Sequence, residues 1–282
     1  MADVITGVTE TSAASMARVS ELAQLYLVQQ AKLAPTVTDY SYLATKGASS
    51  IKLPRSGGFT VGAKGENSAV DAQALTYAAD TITLNQHRVV QFLVEDISES
   101  QAMIQIVQDN LLKATKDMAL DVDSKIITEL KLASASTPDH LIQYNDATNE
   151  DIELLDFLNA RKLLADQNID PRECFVGIGT NQERNMLLID NFISADKYGN
   201  SEAIMNGEIG RIFGMRVILH TGFGADTCVW HPSSVGYAFQ QGIRSQRDYD
   251  LANLAWRYSL DYVAGFEVLD SGKRNVMISE TP

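Results

Sequence analysis

One apolar stripe constrains this chain more than any other feature. Ser98 and Gln101 form a capping-box pair at its start. Ile104, Val107, Leu111, Ala114, Met118, Val122, Ile126 and Leu130 then follow at steps of three or four. The spacing predicts a single helix over 98–133, roughly 50 Å long at 1.5 Å per residue. Helices in globular proteins average about 11–12 residues. A helix three times that length with one apolar face reads as a spine across which other elements lie.

Around it the pattern changes. Residues 1–11 are small and polar. Met16, Val19, Ala23 and Tyr26 then predict a helix over 12–33, closed by Pro35. "TVTDYSYLAT" (36–45) and "DTITLNQHRVVQFLVED" (80–96) alternate as strands do. Between them, "RSGGFTVGAKGENSAVDAQ" (55–73) holds four glycines and the charges Arg55, Lys64, Glu66 and Asp71. This reads as a long two-stranded excursion. A hairpin alone is barely stable in water, so the arm is expected to rest on another surface, such as a second copy of the chain. Its four charges are candidate inter-subunit contacts that set register more than energy.

Past the spine, "SASTPDH" (134–140) is a linker. Thr148 and Asp151 are placed to cap a helix running to about Asn168, which Asp170-Pro171 ends. "CFVGIG" reads as a buried strand, Asn181 as the cap of a helix to about Phe192, and 215–219 and 227–230 as strands. This alternation predicts an α/β unit over 145–240. Residues 241–282 are strand-rich, with Gly265 and Gly272 as breaks. They are expected to pair beside the spine rather than extend the α/β unit. The fold class is α+β.

Chemistry is sparse. A net charge of −13 argues against a chain whose main task is gripping nucleic acid. The two cysteines, Cys174 and Cys228, read as buried small residues. No run of 18 apolar residues occurs. His87, His140, His220 and His231 show no metal-ligand spacing, and Cys228 and His231, three apart on a strand, face opposite sides. Asp121 and Asp123 point apart on a helix and read as solvated. Gly177-x-Gly179 follows a strand, but Gln182 replaces the third glycine of a dinucleotide fingerprint. In "GEIGRIFGMRVILHTG" (207–222), Glu208 has the wrong charge for a phosphate cradle, and Ile209, Ile212 and Phe213 call for burial. Gly207, Gly210 and Gly214 therefore read as turn glycines at φ > 0. Arg244, Arg247, Asp248 and Asp250 form a mixed-charge cluster, either a solvated loop or a contact to another subunit. No catalytic, metal or cofactor residue is assigned.

Three stretches carry a resemblance: "NARKLLADQNIDPRECFVGIGTNQERNMLL", "GEIGRIFGMRVILHTG" and "WHPSSVGYAFQQGIRSQRDYD". They are similar to the A-domain of tailed-bacteriophage major capsid proteins, and "YVAGFEVLDSGKRNVMI" is similar to that family's ending. The resemblance implies the HK97-type fold. Residues 1–50 would be an N-terminal arm, 51–80 an E-loop, 81–144 a P-domain with its spine helix, 145–240 an A-domain, and 241–282 strands returning to the P-domain. It further implies a non-enzymatic homo-oligomer, hexamers and pentamers in an icosahedral virion capsid assembled in the cytoplasm of a bacterial host. Implied partners are a separate scaffolding protein and a portal, with room for a decoration protein, and DNA contacted weakly and without sequence specificity. No membrane and no cofactor is implied. Lys64 lies in the loop that carries a crosslinking lysine in some members, but no crosslink partner is identified. Two alternatives stand beside this reading: an encapsulin-type nanocompartment shell, and an α/β nucleotide-binding enzyme.

Overall fold

The computed structural model describes residues 31–66, 72–75, 77–95, 105–136, 140–145, 151–187 and 210–279. Of the predicted helix over 12–33 only residues 31–33 are among these, and they are not helical; Ser98, Gln101, Thr148, Asp71 and Gly207 lie outside the described residues.

The spine is present as α1, Gln105–Ser136. The predicted stripe residues Leu111, Ala114, Met118, Val122, Ile126 and Leu130 are all buried. So is a second row beside them: Thr115, Ala119, Asp123 and Ile127. One covering element needs one row. Two rows mean that α1 is flanked on two sides, by a sheet and by an α/β unit. Asp123 therefore departs from the expectation of a solvated face, because Lys32 and Leu33 and the loop carrying His220 cover it.

The first flank is a four-stranded sheet built from β1 (Thr38–Asp39), β4 (Gln86–Glu95), β10 (Val235–Asp250) and β11 (Ala255–Val268), in the order β1-β10-β11-β4. β10 and β11 form one long antiparallel hairpin, with register shifts between Phe239 and Gln241 and between Gln241 and Arg244. β4 pairs along β11 from Glu95 opposite Ala255 to Gln86 opposite Ala264. Strand side chains alternate faces, and Val90, Phe92, Leu260, Tyr262 and Ala264 join α1 in one apolar cluster. Arg88 welds β4 to α1, donating from Nε and Nη2 to the Asp121 carboxylate at 2.9 Å each, while the Tyr262 hydroxyl donates to Asp121 at 2.8 Å. Burial pushes that carboxyl up, but its bonds to Arg88 and Tyr262 outweigh burial and hold it below the usual range.

The second flank is a six-stranded mixed sheet. Its members are β5 (Leu141–Gln143), β6 (Phe175–Ile178), β7 (Arg211–Ile212), β8 (Met215–Leu219), β9 (Thr227–Trp230) and β12 (Asn275–Ser279), in the order β5-β12-β9-β6-β8-β7. Two helices, α2 (Leu154–Asp166) and α3 (Thr180–Leu187), contribute to its core through Phe157, Ala160, Leu164 and Met186. α2 is closed by a capping box between Glu153 and Asp156. Asp151 does not cap it; its carboxylate accepts the Asn185 amide instead. α3 starts at Thr180, which puts Asn181 inside its first turn rather than at its cap.

The closing strands divide between the flanks. β10 and β11 lie beside the spine, as expected. β12 instead enters the α/β sheet between β5 and β9. Its residues are nearly all buried, and such a strand needs cover on both faces, which an inner position supplies.

The predicted excursion is anchored by β2 (Ser50–Ser56) and β3 (Tyr77–Thr83), antiparallel from Ser50 opposite Thr83 to Ser56 opposite Tyr77. Ile51 and Ile82 close a small core with Leu84 and Ala238. The base of the arm therefore rests on its own chain.

Candidate assembly surface

Beyond Ser56 the arm leaves the body. Every described residue from 57 to 66 is exposed, and Val61 is 97% so. Phe59, Leu75 and Tyr77 stand in solvent with it. Two bonds tie the limbs together: Thr60 N–H donates to Gln73 Oε1 at 3.0 Å, and Gln73 Nε2 donates back to the Thr60 carbonyl. Four large apolar side chains on one projecting arm are an unsatisfied surface. The sequence reading singled out the arm's charges and missed these four. The signal lay in the text itself, because Phe59 and Val61 interrupt a run of glycines and polar residues.

The charges divide. Lys64 and Glu66 are exposed near the tip. Arg55 is engaged within the chain, its Nη1 bonded to Asp270 and 3.7 Å from Asp80. Asp270 N–H donates to the same Asp80 carboxylate at 3.2 Å, so Arg55 fixes the arm's exit angle.

The second charge cluster lies on strand β10, not in a loop, and its members find partners across the hairpin. Arg244 sits opposite Asp261 and grips it with Nε at 3.0 Å and Nη2 at 2.7 Å. His87 Nε2 reaches the same buried carboxylate at 3.0 Å. Burial pushes Asp261 up, and the Arg244 and His87 bonds override it to hold the carboxyl below the usual range. The Arg247 guanidinium lies 3.6 Å above the Trp256 ring. Asp248 sits opposite Arg257 and accepts the Tyr249 N–H at 2.9 Å. Cross-strand pairing of this kind stiffens a hairpin. At its turn the Asp250 carboxylate accepts Ala252 N–H and Asn253 Nδ2, each at 3.0 Å, and pairs with Arg257. The ordered turn presents Leu251 and Leu254 to solvent, a second exposed apolar point that the sequence reading passed over.

The glycine-punctuated stretch takes shape as a turn. β7 and β8 pair at Ile212 and Met215, leaving Phe213 at φ 48° and Gly214 at φ 90° as the connecting residues. Two successive positive φ values suit a two-residue hairpin. Ile212 and Met215 are buried on either side. Gly210 departs from the expectation: it has no positive φ and is exposed and uncrowded, so no turn requires a glycine there. The Gly177-x-Gly179 pair likewise has a packing cause. A Cβ at Gly177 would lie 2.3 Å from the Phe223 ring, and one at Gly179 would lie 1.9 Å from the Gly224 carbonyl oxygen. The space a phosphate would occupy is filled by the chain itself.

Both cysteines are free and buried, and burial pushes each thiol up to about 12. A thiol so placed is not a nucleophile at neutral pH. Among the described residues no group of three His, Cys, Asp or Glu side chains is placed to hold a metal ion, and no helix is long and apolar enough to cross a membrane.

No family model matches the chain, and no curated protein matches it. Solved structures do. The capsid asymmetric unit of cyanophage Pam1 superposes with a TM-score of 0.71 at 13% identity, covering 89% of this chain and 92% of that one. A chain of Mycobacterium phage Che8 gives 0.68 at 18%, covering 88% and 91%. A virus-like particle from Pyrococcus furiosus gives 0.57 at 10%, covering 94% and 99%.

The chain has the HK97-type capsid fold.

At these identities the HK97-type likeness is one of backbone course. In this chain that course is a doubly covered spine helix, a long hairpin beside it and a mixed sheet on its other flank.

Proposed function

We propose that this chain is the major capsid protein of a tailed bacteriophage, a subunit that self-assembles into an icosahedral shell around double-stranded DNA. The observation that carries the proposal is the uncovered arm, residues 57–66 with Phe59, Val61, Leu75 and Tyr77 exposed, on a fold shared over most of its length with a phage capsid subunit. Closed shells require contacts that repeat by rotation, and an arm without an intramolecular resting place supplies one half of such a contact. In this reading residues 1–50 are the N-terminal arm, 51–80 the E-loop, 81–144 the P-domain and 145–240 the A-domain, with hexamers and pentamers as capsomers. The role is structural rather than catalytic. Lys64 and Glu66 give register at the arm's tip. The acidic chain keeps DNA contact weak and without sequence preference. A separate scaffolding protein and a portal complete assembly in the cytoplasm of the bacterial host.

The likeness to the Pyrococcus furiosus virus-like particle favours a second reading, an encapsulin-type shell around protein cargo. One experiment separates the two. Particles purified from the native source are imaged by negative-stain electron microscopy, and their contents are assayed. Closed shells holding DNA are the expected result. Shells holding protein cargo support the second reading, and a chain that forms no particles at any concentration overturns both.

A further inference from the structure

Asp123 lies mid-way along α1 and is 0% exposed. Its carboxylate serves residues some ninety positions away. Oδ2 accepts the Lys32 backbone N–H at 2.9 Å, and Oδ1 accepts that of Leu33 at 3.1 Å. Leu33 leads into the 3-10 turn Ala34–Thr36 and supplies no side-chain cap. The distant carboxylate thus satisfies amides that the local sequence leaves bare.

A second group faces the same oxygen. His220 Nε2 stands 3.6 Å from Asp123 Oδ2, about half an ångström beyond bonding reach, and this buried nitrogen has no hydrogen-bond partner. The other ring nitrogen, Nδ1, accepts the Gly222 N–H at 3.0 Å. That bond assigns the neutral ring's proton to Nε2, the nitrogen nearer Asp123. The loop that follows is itself held to α1: Lys131 Nζ donates to the Phe223 carbonyl at 3.2 Å and pairs with Asp226 at 2.7 Å. A buried N–H left unpaired beside a carboxylate requires a reason. Here the carboxylate already accepts the Lys32 and Leu33 amides, and with them in place the ring stands short of it.

We propose that Asp123 is a shared anchor for which the N-terminal segment and the loop carrying His220 compete. While the Lys32 and Leu33 amides hold the carboxylate, His220 stands disengaged. When the segment lifts, the imidazole closes on it. Linkage makes the coupling reciprocal, so strengthening the claim of His220 loosens the segment. Protonation does this. A second proton must go to Nδ1, which expels the Gly222 N–H and gives the ring a charge that Asp123 attracts. The charged groups facing the pair are Lys32 on the segment, His220 on the loop and Asp123 on the helix; Asp226 is occupied by Lys131. Burial holds His220 below the ordinary imidazole value against the pull of Asp123, so the ring is neutral near pH 7.5 and charges in acid.

The test is hydrogen exchange on the full chain, read at the Lys32 and Leu33 amides relative to their intrinsic rates. Wild-type protection should fall about tenfold or more between pH 7.5 and pH 5, as expected for loss of a hydrogen bond to a charged group. His220→Asn should show no such fall. Constant wild-type protection overturns the proposal, and so does an equal fall in the variant, which would assign the effect to protonation of Asp123 itself. Should His220→Asn fail to fold, the wild-type protein decides by magnetic resonance. The His220 ring and the Leu33 amide must titrate with one midpoint, and separate midpoints refute the competition.

Discussion

A Cβ at Gly179 would meet the Gly224 carbonyl oxygen at 1.9 Å, whereas one at Gly214 would meet the Arg172 side chain at an ordinary 3.5 Å. The two glycines are therefore required for different reasons, and substitution distinguishes them. At Gly179 the obstacle is backbone, which cannot swing aside. Gly179→Ala should cost about 3 kcal/mol and lower the melting temperature by roughly 6 °C or more. At Gly214 the obstacle is the φ of 90°, which an L side chain resists. Gly214→Val should cost about 1–2 kcal/mol, whereas Gly214→Asn should cost less than half of that because Asn tolerates left-handed backbone. Calorimetric melting curves check the order. Equal losses for Val and Asn at 214 would show that φ is not the cause. The paired glycines of "CFVGIG" were thus legible as a strand-to-helix turn that is no nucleotide site. The partner that excludes a Cβ was not, since Phe223 and Gly224 reach it only through the folded sheet.

At the scale of elements, the spine carries an electrostatic liability. Half-buried Glu129 on α1 is pushed up to about 7, first by burial and then by Glu267 on β11. Burial also raises Glu267 itself. The sign follows from proton counting. Between about 4.5, the unfolded value, and about 7, the folded chain keeps a proton that the unfolded chain has released. The stability this confers is full below the unfolded value and is lost as pH rises through 7. Glu129→Gln cannot ionise, so it should melt a few degrees above wild type at pH 8, with the difference closing by pH 5. A constant difference across that range would remove Glu129 as the source. The same helix shows what periodicity can reveal. Its stripe from Leu111 to Leu130 announced length, type and one buried face. It could not announce a second buried row, because Asp123 and Ile127 are covered by the segment at Lys32 and Leu33 and by the 220–222 loop, which arrive from elsewhere in the chain. The position of β12 was hidden for the same reason. Its five residues read as a strand, but its neighbours β5 and β9 are chosen by long-range pairing that no local window contains. Strands β8 and β9, bounded by turn chemistry on both sides, could be read to the residue.

At the scale of the whole molecule, the question is whether the arm stabilises the subunit or joins it to others. The contacts favour joining. The arm's base is secured by Ile51, Ile82, Leu84 and Ala238 and by Arg55 with Asp80 and Asp270, all outside 57–67. The described residues inside that span lie in solvent. Deleting 57–67 leaves a shorter connection between β2 and β3, and loop length enters stability only as a slowly varying logarithm, about 0.6 kcal/mol per doubling. The deleted chain should therefore keep its far-ultraviolet spectrum and melt within about 2 °C of the intact subunit. It should also lose closed particles entirely, because the apolar surface at Phe59 and Val61 that would be covered by a neighbour is gone. Sedimentation and electron microscopy read assembly, and calorimetry reads folding, so the two effects are measured separately. A deletion that unfolds the subunit would place the arm in the core. A deletion that still yields normal shells would place the assembly contact elsewhere, with the ordered turn at Leu251 and Leu254 the next surface to remove.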